Sequence, residues 1–393
     1  MMKIGFYTMV YEEWPVGEVY LRNLFYAIRQ TFGKEVKLYL LTPTWRRQIV
    51  ESDASSVKAD GFILYNVPQR WTASWMFNGV VKRMLLRDIM MERRLKEYKI
   101  NVVFGPTLIH KFPKMATLSW FPDFQHMHLP EMFCKSECLS RDRTFLNSAD
   151  ITTRIIVMSE AVKKDLKFFA PMYAHKARVL HPISYVPESI YECDLHSILS
   201  LYHLPDKFIY MPNQFWKHKN HEVVFQAVKS LKDRGVKVFV VCTGNPVDFR
   251  HPAHFADLCC KLSEWNIRDQ IIYLGLIPRE HVLLLMRQSI CVLNPSLFEG
   301  WGYTVDEARS VGKRVILSNI PTHREQSPPK ATFFNPTDFN DLEQILGQIW
   351  LGTEPGPDVE LESKARLSLP ARLRAYGEDF FSVAKEAFEE VMG

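Results

Sequence analysis

The sequence of 393 residues lacks long apolar runs. No stretch approaches the roughly eighteen consecutive apolar residues that a membrane-spanning helix needs. Residues 1–15 turn acidic after a short apolar run and lack the apolar core of a signal peptide. We therefore expect a cytoplasmic protein, either soluble or in peripheral contact with the inner face of the membrane.

The seven cysteines form no regular framework. An odd number with irregular spacing argues against a disulfide scaffold and agrees with a reducing compartment. Four of them lie in apolar sequence, which predicts buried free thiols: Cys242, Cys259, Cys260 and Cys291.

Charge is also modest, since the net charge is +5 and the basic residues form no long run. Nucleic-acid-binding proteins concentrate basic residues on one face, so we expect no nucleic-acid partner. The composition, 47% hydrophobic and 24% charged, is that of a globular protein. A chain of this length exceeds the usual single-domain size, which predicts two domains.

Residues 290–326 carry the clearest pattern in the chain. An apolar run of strand length, Ile290 to Leu293, precedes a glycine loop, and Val315 to Leu317 form a second short apolar run. Between them the sequence predicts a helix. Gly300 and Gly302 indicate the loop. Thr304 is the predicted N-terminal cap of the helix, and Gly312 is its predicted C-terminal end. The pattern is a βαβ unit, which indicates an α/β fold with parallel sheets.

Two carboxylates mark this unit, Glu299 in the loop and Glu307 in the predicted helix, with seven residues between them. A helix N-terminus beside a glycine loop favours anions such as a pyrophosphate. Carboxylates would repel a phosphate, so we expect them to contact the neutral hydroxyls of a ribose and a sugar. The loop therefore fits a nucleotide sugar.

This stretch resembles the E-x7-E signature of GT-B glycosyltransferases, in particular the retaining family 4. The matching segments are Phe298-Glu299-Gly300-Trp301-Gly302 and Asp306-Glu307-Ala308, followed by Ser318 and Glu325-Gln326. The resemblance implies two Rossmann-like domains facing across a cleft. It places the acceptor-side domain in residues 1–190 and the donor domain in residues 191–375. A helix in residues 376–393 would return to the first domain.

Residues 123–133 resemble the D-x-Q-H-x-H-x-P-E-x-F stretch of mannosyltransferase-like members of this family. The resemblance implies that His126 lies near the donor sugar and the acceptor. Asp123 is in the same loop, and Arg141 on the next helix is a further candidate for the acceptor side.

A second stretch follows the predicted strand Phe208 to Met211. Lys219 matches the lysine that binds the donor diphosphate in this family, whereas Gln214 stands roughly where an arginine is commonest. The resemblance thus implies Glu299, Lys219 and His126 as catalytic residues. The implied donor-binding residues are Gly17, Gln214, Lys219, Leu276, Ile277, Glu299, Gly300, Trp301, Gly302, Tyr303, Thr304 and Glu307.

The implied reaction moves a hexose from a nucleotide diphosphate sugar to a glycan or lipid-linked hydroxyl in polysaccharide biosynthesis. A GDP-mannose-like donor is favoured, with a UDP-sugar as the alternative. No Asp-x-Asp occurs in the chain, so we expect neither a metal nor a cofactor. Two rival hypotheses are a GT-B nucleotide-sugar epimerase or hydrolase, and a non-catalytic nucleotide-sugar-binding partner.

Two other patterns have alternative interpretations. Potential zinc ligands occur close together, although their H-x-H-x5-C-x3-C spacing is not a tight zinc pattern: His126, His128, Cys134 and Cys138. Residues 72–99 predict one or two helices, and the basic residues near 83–99 can contact an anionic membrane. Acidic residues interrupt that charge, which favours a solvated helix face.

Overall fold

The computed structural model describes residues 1–8, 16–44, 58–65 and 87–393. The chain forms two compact units. The first comprises Met1–Phe124, Lys135–Ile183 and Ala371–Gly393, and the second comprises Gln125–Cys134 and Ser184–Pro370. The boundaries predicted for the acceptor-side and donor domains, at residues 190 and 375, stay predictions.

A seven-stranded parallel sheet forms the core of the first unit, in the order β3-β2-β1-β4-β5-β6-β7. Its strands are β1 (Met2–Tyr7), β2 (Val36–Pro43), β3 (Gly61–Tyr65), β4 (Val102–Pro106), β5 (Ala116–Phe121), β6 (Arg154–Val157) and β7 (Ala177–Val179). Every residue of β5 and β6 is buried, as expected for strands covered on both faces.

A six-stranded parallel sheet forms the core of the second unit, in the order β10-β9-β8-β11-β12-β13. Its strands are β8 (Ile209–Met211), β9 (Val240–Cys242), β10 (Ile271–Tyr273), β11 (Cys291–Asn294), β12 (Val315–Ser318) and β13 (Ala331–Phe334). The chain leaves β8 for β9 on one side, whereas β11 lies on the other side. This reversal is the topological switch point, where Rossmann-like sheets bind ligands beyond the carboxyl ends of their strands.

Helices connect the strands of both sheets, which confirms the predicted α/β class. Those of the described residues are α1 (Val16–Phe32), α2 (Ile89–Glu97), α3 (Gln125–His128), α4 (Lys135–Ile151), α5 (Glu160–Phe169), α6 (Ser189–Glu192), α7 (Leu195–Tyr202), α8 (His221–Asp233), α9 (His254–Glu264), α10 (Arg279–Gln288), α11 (Tyr303–Val311), α12 (Pro321–Gln326), α13 (Phe339–Gly352) and α14 (Val359–Met392). Within the described ranges, no helix has both the length and the apolar character needed to cross a membrane.

The C-terminal helix α14 returns to the first unit, as predicted. The Phe380 ring is fully buried, and its centroid lies 5.7 Å from those of both Phe6 and Phe104. At Gly377 an added Cβ would lie 2.8 Å from the Ala27 carbonyl oxygen, so only glycine permits this close approach to α1. The helix begins at Val359 rather than at 376, because Pro370 lies inside it instead of ending it.

Two of the four cysteines predicted to be buried are not. Cys242 and Cys291 lie in buried strands, whereas Cys259 is half-buried and Cys260 is exposed on α9. The apolar sequence around them covers one face of a helix, and this pair lies at the edge of that face.

The predicted basic helix is described only from residue 87 onward, as α2. Within α2 the Lys96 ammonium lies 2.6 Å from the Glu92 carboxylate, and Arg94 lies 3.1 Å from Glu97. Arg87 also contacts Glu92, at 2.6 Å. Much of the basic charge of the described part is therefore neutralised by neighbouring carboxylates. The part before residue 87 lies outside the described residues.

We predict that Phe380→Ala lowers the free energy of unfolding of the first unit by about 3–5 kcal/mol, because it leaves a cavity between aromatic rings. Urea denaturation monitored by tryptophan fluorescence measures the change. The matched control is Glu378→Ala, an exposed position on the same helix, which should change the value by less than about 0.5 kcal/mol. Equal effects of the two substitutions would contradict the docking of α14.

Candidate active site

Two loops meet at the switch point of the second sheet, one after β8 and one after β11. The Leu297 amide donates to the His218 carbonyl at 2.8 Å. The Asn220 side-chain amide donates to the carbonyl of Pro295 at 3.1 Å. These contacts hold together two segments that are far apart in the sequence, and they bring Lys219 beside Glu299.

Lys219 and Glu299 form an ion pair in which Nζ lies 2.6 Å from Oε1. The side chains are only 16% and 10% exposed. The Ser296 hydroxyl donates to the same carboxylate oxygen at 2.7 Å, and Thr322 Oγ1 donates to the Glu299 carbonyl at 2.7 Å. Burial by itself raises the pKa of Glu299, but the charge of Lys219 outweighs it, and the net effect lowers that pKa to about 2. Glu299 is therefore a carboxylate at neutral pH.

The glycine loop ends at Gly302, whose φ of 87° lies in the left-handed region. The Gln326 amide donates to its carbonyl at 3.3 Å. Helix α11 starts at Tyr303, and no side-chain hydrogen bond caps it. The prediction of Thr304 as the cap is wrong, because Gly302 starts the helix earlier and the Thr304 hydroxyl donates instead to the Pro212 carbonyl at 3.2 Å. Gly312 ends the helix as predicted.

Glu307 lies on α11 and forms an ion pair with Arg279, the first residue of α10. The Arg279 guanidinium also donates to the Tyr185 carbonyl at 3.4 Å. Sequence reasoning missed Arg279. A usable signal was its position directly after the Leu276-Ile277-Pro278 loop, which was itself predicted to bind the donor. In that loop Leu276 is exposed and Ile277 is half-buried.

Gln214 joins the loops that follow β8 and β9, because its side-chain oxygen accepts from the Asn245 amide at 2.7 Å. The side chain therefore supports the loop backbone, and it brings no charge to the position where the family commonly has an arginine. Trp301 is buried and Tyr303 is half-buried in the glycine loop and first turn of α11.

The His126 segment also belongs to the second unit, with which Gln125–Cys134 is grouped. His126 is buried in α3, and the His128 ring lies 4.9 Å from that of Phe298, the residue before Glu299. The structure thus brings this segment to the Glu299 loop.

The predicted acceptor-side residues Asp123 and Arg141 lie in the first unit and form an ion pair at 2.7 Å. Gly17 is buried in the first turn of α1, in the same unit. Their predicted roles stay predictions.

Metal ligation by clustered side chains has no support in the described part of the chain. No group of three or more His, Cys, Asp or Glu side chains there is arranged to hold a metal ion. This applies to the zinc alternative, since all four of its candidate ligands are described: His126, His128, Cys134 and Cys138.

We predict that Lys219→Met destabilises the second unit by about 3 kcal/mol at pH 7, because it leaves the Glu299 carboxylate buried without its cation. The double variant Lys219→Met/Glu299→Gln should recover most of this loss, which a double-mutant cycle in urea quantifies. Additive losses would mean that the two side chains do not interact.

A second prediction concerns the pH dependence of stability. Burial lowers the pKa values of His218 and His221 to about 3 and that of His323 to about 4. Below pH 6.5 the unfolded chain takes up protons at these histidines and the folded chain does not, so stability falls as pH decreases toward 4. The expected slope is about 1.4 kcal/mol per pH unit for each imidazole. Glu299 affects stability at lower pH, since its contribution to the free energy of unfolding is lost only between about pH 4.5 and 2.

Urea unfolding at several pH values between 7.5 and 5 measures this slope. His323→Asn should reduce it by at most about 1.4 kcal/mol per pH unit, because it removes one imidazole whose pKa is lowered by burial. A slope that is unchanged in this variant would show that His323 does not stay neutral in the folded protein.

Comparison with known proteins gives one family model and several relatives that match part of the chain. Residues 202–349 match the family model described as Glycosyl transferases group 1. The chain is 26% identical over 175 residues to the serotype-specific mannosyltransferase WbdA of Escherichia coli, covering 43% of this chain and 21% of WbdA. It is 23% identical over 263 residues to the O-antigen chain mannosyltransferase B of Escherichia coli, covering 65% of this chain and 66% of that protein. The chain thus spans about a fifth of the length of WbdA.

Among solved structures, Anabaena Alr3699/HepE in complex with UDP and glucose is similar over 100% of both chains, with a TM-score of 0.66 and 12% identity. At that identity the likeness shows the fold alone. The two Rossmann-like sheets and the returning C-terminal helix are those of the GT-B fold.

Proposed function

We propose that this protein is a retaining glycosyltransferase that moves a hexose from a nucleotide diphosphate sugar to a hydroxyl of a glycan or lipid-linked acceptor. The observation that carries the proposal is the Lys219–Glu299 pair beside a glycine loop at the switch point of the second sheet. A GDP-mannose-like donor is favoured, and the similarity to two Escherichia coli mannosyltransferases supports mannose as the sugar. A UDP-sugar is the alternative.

In this proposal the donor diphosphate replaces Glu299 as the ion-pair partner of Lys219. The ammonium and the first-turn amides of α11 then face the leaving phosphate, whose negative charge grows as the glycosidic bond breaks. Glu299 is ionised and is released to accept hydrogen bonds from the hydroxyls of the transferred sugar. These protein charges would act without a metal ion.

Glu307 accepts hydrogen bonds from the ribose hydroxyls in the same scheme. Arg279 holds its carboxylate in place, and its contact with the Tyr185 carbonyl orients the guanidinium. The backbone at Leu276 and Ile277 adjoins the base. Because Glu307 is already paired, the ribose hydroxyls bind to a carboxylate whose position is set before the donor arrives.

Bond changes at the sugar follow from these positions. The acceptor oxygen forms a bond to the anomeric carbon, and the bond from that carbon to the diphosphate oxygen breaks. The acceptor proton passes to an oxygen of the leaving diphosphate. His126, which is buried in the segment whose His128 ring contacts Phe298, orients the sugar or the incoming hydroxyl. Asp123, Arg141 and Gly17 remain the proposed contributions of the first unit.

The test is a donor panel of GDP-, UDP- and ADP-sugars, first for binding and then for transfer to glycan or lipid-linked acceptors. A ligand at a hundred times its Kd stabilises the folded state by roughly 2.7 kcal/mol, which a thermal shift detects. We expect one base to be preferred and Glu307→Gln to weaken its binding. The matched control is Glu280→Gln, an exposed glutamate on α10, which should bind as the wild type does.

In the transfer assay, Lys219→Met should lower kcat by about 100-fold or more, because it removes the charge that stabilises the leaving group. Product analysis distinguishes the rival activities: a new glycosidic bond supports transfer, whereas a free sugar or an epimerised donor identifies hydrolysis or epimerisation. Binding with no turnover of any kind would identify a nucleotide-sugar-binding partner.

A further inference from the structure

Ser296 lies in the loop after β11, and its side chain is fully buried. Its hydroxyl oxygen lies 2.7 Å from Glu299 Oε1, the same oxygen that lies 2.6 Å from Lys219 Nζ. Within the described ranges, no hydrogen bond reaches the other carboxylate oxygen, Oε2. The carboxylate therefore has one oxygen that the protein holds and one that is left to accept hydrogen bonds from a ligand.

The Ser296 hydroxyl has one proton and two acceptors within reach. The second acceptor is Asn294 Oδ1, which lies 2.6 Å away. This oxygen also accepts from the Ser296 backbone amide at 3.3 Å and from the Asn213 side-chain amide at 3.4 Å. It keeps both of these donors when the hydroxyl turns to Glu299, and an ionised carboxylate accepts a stronger hydrogen bond than an amide oxygen does. The proton is therefore available to Glu299.

The backbone around this hydroxyl is fixed from the neighbouring strand. Ser318, the last residue of β12, is fully buried, and its hydroxyl donates to the Ser296 carbonyl at 2.5 Å. The Thr322 hydroxyl donates to the Glu299 carbonyl at 2.7 Å. Both ends of the segment from Ser296 to Glu299 are thus tied to residues outside it, so the Ser296 hydroxyl has a defined position from which to hold the carboxylate.

Binding of the donor affects the two contacts of Oε1 differently. Under the proposed function the diphosphate replaces Glu299 as the partner of Lys219, which leaves the Ser296 hydroxyl as the remaining donor to Oε1. Ser296 is fully buried, so the diphosphate does not reach its hydroxyl. Without this hydroxyl, the buried Glu299 carboxylate would lose its last fixed partner when the donor binds.

We propose that Ser296 is a positioning residue that holds Oε1 of Glu299 when the donor binds and thereby directs Oε2 at one hydroxyl of the transferred sugar. Ser296 acts through Glu299 and touches neither donor nor acceptor. It determines sugar specificity, because a carboxylate of fixed orientation accepts a hydrogen bond from a hydroxyl in one position and rejects a sugar that lacks it. This inference rests on the proposed function, since it requires that Glu299 faces the sugar.

Isothermal titration calorimetry of the full-length protein tests the inference. The ligands are the nucleotide sugar that the donor panel selects (GDP-mannose, UDP-glucose or ADP-glucose) and its 2-, 3-, 4- and 6-deoxy analogues. In the wild type, loss of the hydroxyl that Glu299 holds should raise Kd by about 10- to 100-fold, the range for a hydrogen bond to a charged group. In Ser296→Ala the same loss should raise Kd by less than about threefold. All of these ligands share the diphosphate, so any effect of the substitution on Lys219 cancels in the ratio of Kd values.

The alanine variant should fold, because Lys219 still pairs with Glu299 in the free protein. Ser296→Thr keeps a hydroxyl at this position and should retain the Kd ratios of the wild type. The matched control is Ser289→Ala, which removes the hydroxyl of an equally buried serine of the same unit. That hydroxyl donates to the Met286 carbonyl at 2.9 Å, away from Glu299, so the control should also keep the wild-type ratios.

The outcomes separate this inference from the proposed function. Kd ratios that are unchanged in Ser296→Ala, or that fall equally in Ser289→Ala, would overturn the inference and leave the proposed function standing. A wild type that binds the nucleotide sugar and all four deoxy analogues equally well would do the same. A wild type that binds none of the three nucleotide sugars would overturn both.

Discussion

A carboxylate inside a protein needs a cation beside it, and the ion pair between Glu299 and Lys219 meets that need at the switch point of the second sheet. The two residues follow strands β11 and β8, which are neighbours in the sheet and distant in the sequence. The pair can form only when both loops are folded. Because β8 and β11 are adjacent in the sheet, the positive charge of Lys219 lies beside the Glu299 carboxylate.

The same arrangement occurs twice. Glu307 is paired with Arg279 much as Glu299 is paired with Lys219, so both glutamates of the E-x7-E pattern contact a cationic side chain before any donor binds. Under the proposed function the donor replaces Glu299 as the partner of Lys219 and leaves the Glu307–Arg279 pair intact. Such an exchange favours specificity for a diphosphate over simple affinity for any anion, since only a group with the right charge and position replaces Glu299 at Lys219.

Local patterns in the sequence were sufficient to predict the α/β class, the βαβ unit around the glycine loop, and Glu299 and Glu307 as residues of interest. Lys219 was predicted from the resemblance to GT-B glycosyltransferases. Burial on two faces produces apolar runs, and loops at strand ends require glycine, so both leave a trace within a few residues. Only the tertiary structure showed that Arg279 holds Glu307, that Asp123 contacts Arg141, and that Pro370 lies inside α14. It also decided that His221 is fully buried. The physical reason is that an ion pair or a cavity joins residues from separate strands and helices, and their spacing along the chain carries no periodic signal.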